Sequence, residues 1–171
     1  MRSRTTALPQ RIRDIRWRKR RAIGMGGYSV VYAIAAGLCV KVGQIAEDEA
    51  EAQRHLAGWG LAVPVLDYAS SLELAAVIHR ECCGQHGIRR DTQGVAEDGV
   101  PCTCREALDA LLMPIADPDV STWDEATLFA FRLQVDHVCE EELGRIWDYR
   151  PANLARYQGH LVALDFGEPS G

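Results

Sequence analysis

Lysine is nearly missing from this chain: of its nineteen basic residues seventeen are arginine, and only Lys19 and Lys41 are lysine. Lys41 sits inside the apolar run LCVKV, so it is not a habitual surface cation and calls for a carboxylate or phosphate partner. No apolar run approaches the roughly 18 residues that cross a bilayer. The Arg-rich start is not followed by the apolar core of a secretory signal. Together these absences predict a cytoplasmic protein with no membrane partner. The even punctuation of a disulfide framework is missing too. Of the six cysteines (Cys39, Cys82, Cys83, Cys102, Cys104, Cys139), Cys39 falls in a strand-like run and Cys139 in a helix-like one, which favours reduced thiols. CxxC knuckles are absent. Cys82-Cys83 and Cys102-x-Cys104, with His79 and His86 nearby, leave zinc as the lesser alternative.

What is present is a chain of 171 residues, 47% of them apolar, enough for one core or two small lobes. Its net charge of −5 is unevenly spread: residues 1–46 carry +9 and residues 47–171 carry −14. The basic density, RIRDIRWRKRR from Arg11 to Arg21, suits nucleic acid, an acidic partner, or the chain's own acidic body.

Ile23–Met25, Val30–Ile34 and Leu38–Val42 are short runs rich in β-branched residues, separated by glycine turns, and predict three antiparallel strands. Ala46–Gly58 predicts a helix, from acids in its first turns and glycines past its end. VPVLDYAS and LELAAVIHRE supply two further strand candidates. Gly84–Cys104, with four glycines and Pro101 amid charges, predicts a loop or a small hairpin, and Arg105–Met113 a short amphipathic helix. A longer helix is expected over about 122–143, capped by Ser121 or Thr122, the latter in a Thr122-x-x-Glu125 capping box, and burying Leu128, Phe131, Val135, Val138 and Leu143.

The chemistry lies at the two ends. GMGGYSVVY, Gly24–Tyr32, is either a structural hairpin or a turn whose glycines admit phosphate oxygens to backbone N–H groups. Near the C-terminus, Asp148 and Asn153 stand five apart in WDYRPAN, and Asp165 follows the strand-like LVAL. Two acids and an amide are hard oxygen ligands, suited to Mg²⁺ that itself holds phosphates.

In this order the motifs resemble the protein kinase-like superfamily. GMGGYSVV is similar to the glycine loop GxGxxSxV, LCVK to VAIK, DYRPAN to DLKPEN and LDFG to the metal-binding DFG motif. The resemblance implies an α+β fold: an N-terminal five-stranded antiparallel sheet with one helix, and a reduced, mainly helical C-terminal lobe ending just after DFG. The implied division is a basic arm over 1–20, an N-lobe over 21–83 and a C-lobe over 84–171. It implies ATP and Mg²⁺ as cofactors. Gly24, Gly26, Gly27, Ser29, Val31 and Cys39 would enclose the nucleotide, and Lys41 would hold the α/β-phosphates, paired with Glu49 or, second, Glu51. Glu81, Cys82 and Cys83 would form the adenine hinge. Asp148 would be the catalytic base, Arg150 the cation beside the γ-phosphate, and Asn153 and Asp165 the metal ligands.

Ile146 and Trp147 stand where the superfamily has His-Arg, so control by a phosphorylated activation loop is not expected. Only Glu168–Gly171 follow the DFG, so the acceptor site is expected from the residues that remain, a second copy or a protein partner. The expected function is transfer of the ATP γ-phosphate to an unidentified hydroxyl, on a protein or a small molecule. A nucleotide-binding pseudokinase acting as a switch is the alternative, and binding of nucleic acid or protein through the basic arm the second.

Overall fold

A computed structural model of the protein describes residues 8–15, 21–25, 29–70 and 109–166. The fold is α+β, and its packing divides into two compact units: Met1–Gln44 with Leu66–Leu112, and Ile45–Val65 with Met113–Gly171. Among the described residues no helix is long and apolar enough to cross a membrane.

The first unit is built on a five-stranded antiparallel sheet of order β1-β2-β3-β5-β4, comprising β1 (Arg21–Met25), β2 (Ser29–Ala35), β3 (Leu38–Gly43), β4 (Asp67–Ala69) and β5 (Asp109–Pro114). The β2–β3 register sets Val30 opposite Val42 and Tyr32 opposite Val40, so alternate residues share one face. That face packs on Ile12 and Ile15 with Ala69, Ala110 and Leu112. Ile12 and Ile15 are each 1% exposed, and the Ile12 N–H donates to Asp67 Oδ2 at 2.7 Å. Two residues of the segment expected as an arm, Ile12 and Ile15, are therefore part of the sheet's core, while Arg11 and Arg13 stay exposed.

β5 corrects the sequence reading, which expected a helix over Arg105–Met113. Ala110–Met113 are buried without interruption, and so short an apolar run carries no period to separate strand from helix. The strand candidate at 72–81 and the glycine-rich loop or hairpin at 84–104 lie outside the described residues. So do all the residues of the zinc alternative.

The second unit holds both described α-helices. α1 (Glu47–Gly58) has no side-chain cap and starts on Glu47, Asp48 and Glu49, whose charges favour the positive end of the helix dipole. Its other end is a Schellman motif: Leu61 N–H reaches the Leu56 carbonyl at 2.9 Å, Gly60 N–H reaches that of Ala57 at 3.0 Å, and Gly60 has φ +73°. Nothing lies within 4 Å of a Cβ built there, so Gly60→Ala is expected to cost only the left-handed penalty, about 1 kcal/mol, read from the denaturant midpoint.

α2 (Glu125–His137) begins three residues later than expected. Its cap is Asp124, whose Oδ1 accepts from Thr127 N–H at 2.7 Å, and not Ser121 or Thr122. The hydrogen bonds from Thr127 hold the Asp124 carboxyl below its ordinary range, so this cap contributes above that range and is lost as pH falls through the depressed value. Phe131, Val135 and Val138 are buried as expected, with Leu128 and Leu143 packed against them. The expected helical end is a π-helical turn, Val138–Glu142. The turn and the residues after it tie to α1: His55 Nε2 lies 2.5 Å from Glu142 Oε2, and Arg145 Nη1 donates to the Asp48 carbonyl at 3.1 Å. A hairpin of β6 (Leu154–Tyr157) and β7 (His160–Ala163) completes the unit, turning through Gln158 and Gly159, both at positive φ.

Candidate functional site

The period-2 alternation that buries one face of the five-stranded sheet aims a second set of side chains at the other. Gly24 pairs with Val31, Val31 with Lys41, and Ala33 with Cys39, so Gly24, Val31 and Lys41 form a row across β1, β2 and β3 on one face. Ser29, opposite Gly43, lies on the same face. Four side chains expected to enclose a nucleotide (Ser29, Val31, Cys39 and Lys41) are thus brought together with Gly24. Lys41 is 9% exposed, and all of β3 is buried. A Cβ on Gly24 would meet Val31 at 3.7 Å, an ordinary contact, so the strand packing does not itself demand glycine there. Gly26 and Gly27 lie outside the described residues, as do Glu81, Cys82 and Cys83.

Cys39 is buried, and burial pushes its thiol up to about 12. Burial also pushes the Cys139 thiol up, to about 11, against the opposing effect of Arg145. Neither is a nucleophile at neutral pH. Pulsed alkylation of the native protein at pH 8, read by mass spectrometry, is expected to leave both unmodified and to label both on unfolding.

In the second unit α1 separates its acids by burial: Glu49 is 4% exposed while Glu47 and Glu51 are exposed. Of the two carboxylates weighed against Lys41, Glu49 is therefore the desolvated one, which needs a polar partner.

The segment from Trp147 to Asn153 is laced to the segment around Asp165. Asn153 Nδ2 donates to the Asp148 carbonyl at 3.0 Å, and Asn153 N–H to that of Arg150 at 2.8 Å. The Asn153 carbonyl accepts from Leu164 N–H at 2.8 Å, and Trp147 Nε1 donates to the Leu164 carbonyl at 3.4 Å. Buried Trp147 meets Tyr149 edge-on with centroids 5.6 Å apart, and Phe166 at 6.4 Å. The two chain segments carrying Asp148, Asn153 and Asp165 are thereby fixed against each other. Sequence reasoning missed Trp147 as their anchor, seeing only that it departs from His-Arg.

Asp165 is exposed and has φ +59°, left-handed backbone that a non-glycine residue adopts at a cost, between half-buried Leu164 and buried Phe166. The Asp148 carboxylate is met by Arg150 Nε at 2.7 Å. Because Asn153 spends its amide N–H on Asp148, its Oδ1 is left as the acceptor end. One aspartate and one amide oxygen fit Mg²⁺, which is ordinarily held by one or two carboxylates together with substrate phosphates. Among the described residues no group of three or more His, Cys, Asp or Glu side chains forms a cage for a metal without such a substrate.

Neither a family model nor a curated protein matches the chain.

Proposed function

We propose that the protein is a Mg-ATP-dependent phosphotransferase of the protein kinase-like type. The observation that carries the reading is the lacing of the Asp148–Asn153 loop to a strained, exposed Asp165. Backbone held at a cost to present a carboxylate is a feature of functional sites. The order of strands and helices agrees with it, with α1 between β3 and β4 and a hairpin between the Asp148 loop and Asp165.

In this reading the glycine-turn amides and Lys41 hold the phosphates, and Glu49 is the counter-charge that orients Lys41. Asn153 and Asp165 would hold Mg²⁺, which would supply neutralisation of the phosphate charge. Asp148 accepts the proton of the acceptor hydroxyl, and Arg150, 2.7 Å from it, holds that carboxylate in place. The strand beside β3 is β5, so Met113–Ile115, the segment leaving it, takes the adenine-hinge role expected of Glu81–Cys83. The superfamily assignment, ATP and Mg²⁺ all belong to this proposal. Turnover of labelled ATP by the purified protein, dependent on added Mg²⁺, is its test, and absence of any turnover rejects it.

The Arg150–Asp148 ion pair favours one other reading, a nucleotide-binding switch without transfer, because it already engages one oxygen of the base. ATP binding with no transfer to any acceptor selects that reading.

A further inference from the structure

Beside the Asp148 loop, the second unit carries a hollow of about 520 Å³ lined by Glu125, Ala126, Leu128, Phe129 and Arg132 of α2 and by Tyr149, the residue between Asp148 and Arg150. We propose that this hollow seats the acceptor, and that the acceptor is the Ser/Thr-containing segment Met1–Leu8 of a second copy of the chain. The proposal rests on the phosphotransferase reading and supplies its missing substrate.

The charge of the hollow selects a cation. Arg132 is committed: its Nε donates to Asp136 Oδ2 at 3.2 Å, and its guanidinium lies 4.8 Å from the centroid of the Tyr149 ring. Glu125, by contrast, has no hydrogen bond or ion pair among the described residues and is exposed, so its carboxylate is the charge on offer. Residues 113–166 of the same unit hold ten carboxylates against four arginines. An anion is disfavoured there, and an arginine flanking the acceptor hydroxyl is favoured.

Of the rest of the wall, Leu128 and Tyr149 also pack on the core, while Ala126 and Phe129 are apolar and exposed. Phe129 is 59% exposed and Leu133, one turn on, 52%. With Ala126 and Ala130 they make a second apolar stripe on α2, at i, i+3, i+4 and i+7, on the side away from buried Phe131 and Val135. A ligand that brings arginine and an aliphatic side chain together matches both features.

MRSRTTAL is such a segment. Ser3 lies between Arg2 and Arg4, Thr5 and Thr6 follow Arg4, and the stretch contains no acid. Leu8 is 56% exposed, while Ile12, four residues on, is anchored in its own sheet. The first seven residues lie outside the described ones and are attached to a fixed point. In the transfer, a Ser or Thr oxygen forms a bond to the γ-phosphorus, the bond from that phosphorus to the β–γ bridging oxygen breaks, ADP leaves, and the hydroxyl proton passes to Asp148.

The test has two arms. A fluorescent peptide of residues 1–13 is titrated with full-length protein, without nucleotide, and read by anisotropy; separately, the protein is incubated with Mg-ATP and its phosphosites are mapped. Saturable peptide binding is expected, weakened about tenfold by Glu125→Lys, less by Glu125→Gln, and also by Phe129→Ser. Phosphate is expected on Ser3, Thr5 or Thr6, at a specific rate that rises with protein concentration. If the peptide does not bind, or binds equally to all three variants with unchanged melting, the hollow is not the acceptor site. Phosphate found only outside Met1–Leu8, or a rate independent of concentration, overturns the second-copy segment as acceptor. Peptide binding without any ATP turnover supports the docking and rejects the phosphotransferase reading instead, so the two failures are told apart.

Discussion

Asp148→Ala is expected to slow phosphoryl transfer by about 10²–10⁴-fold, the usual contribution of a positioned general base, while leaving Mg-ATP affinity nearly unchanged. The two effects separate because Asp148 is assigned to the acceptor hydroxyl and not to the nucleotide. Its carboxylate is only partly exposed, 26%, and Arg150 holds one of its oxygens, so the group is oriented before any acceptor arrives. The backbone around it should survive the substitution, because the lacing uses the Asp148 carbonyl and not its side chain. Steady-state kinetics beside equilibrium binding checks this. A loss of affinity equal to the loss of rate would mean that Asp148 serves the nucleotide and that the base lies elsewhere.

Trp147→Ala is expected to destabilise the protein by about 3–5 kcal/mol, the range for emptying a large buried aromatic site. Trp147 is 4% exposed and belongs to the core formed with Phe131, Val135, Leu154 and Phe166. Removing it also leaves the Leu164 carbonyl without the indole N–H and removes the edge contact to Tyr149. The Asp148 loop and the Asp165 segment then lose a shared support, so activity should fall even at temperatures where the variant stays folded. Trp147→Phe retains most of the apolar volume but not the N–H, and should recover most of the stability. Urea titration of both variants measures this, and a loss below about 1 kcal/mol for Trp147→Ala would show the site relaxing around the gap.

Much of the frame was legible because its signals are local and periodic. α1 announced itself by acids at one end and glycines at the other, and β1–β3 by β-branched runs between turns. The buried stripe of α2 was readable from Phe131, Val135 and Val138. Its start was not, because Asp124 competes with Thr122 for the cap and only the backbone geometry decides between them. β5 was unreadable for a different reason: four consecutive apolar residues fit a strand or a buried turn of helix equally well, and its place beside β3 depends on partners far away in sequence.

The site residues were legible as an order and not as an arrangement. Sequence left Glu49 and Glu51 both standing, and burial distinguishes them. The shared face of Gly24, Val31 and Lys41 follows from strand register, which a one-residue slip would have reversed. The positive φ of Asp165 has no sequence signature beyond the tolerance of aspartate for that conformation.

The central claim is that Lys41 and Asp165 serve one bound Mg-triphosphate, and thermal unfolding with and without Mg-ATP tests it most directly. Stabilisation of the wild type by about 2.7 kcal/mol is expected at a ligand concentration near 100 times Kd, with almost none in Lys41→Ala or in Asp165→Ala. Full stabilisation retained in both variants, or none in the wild type, would contradict the account.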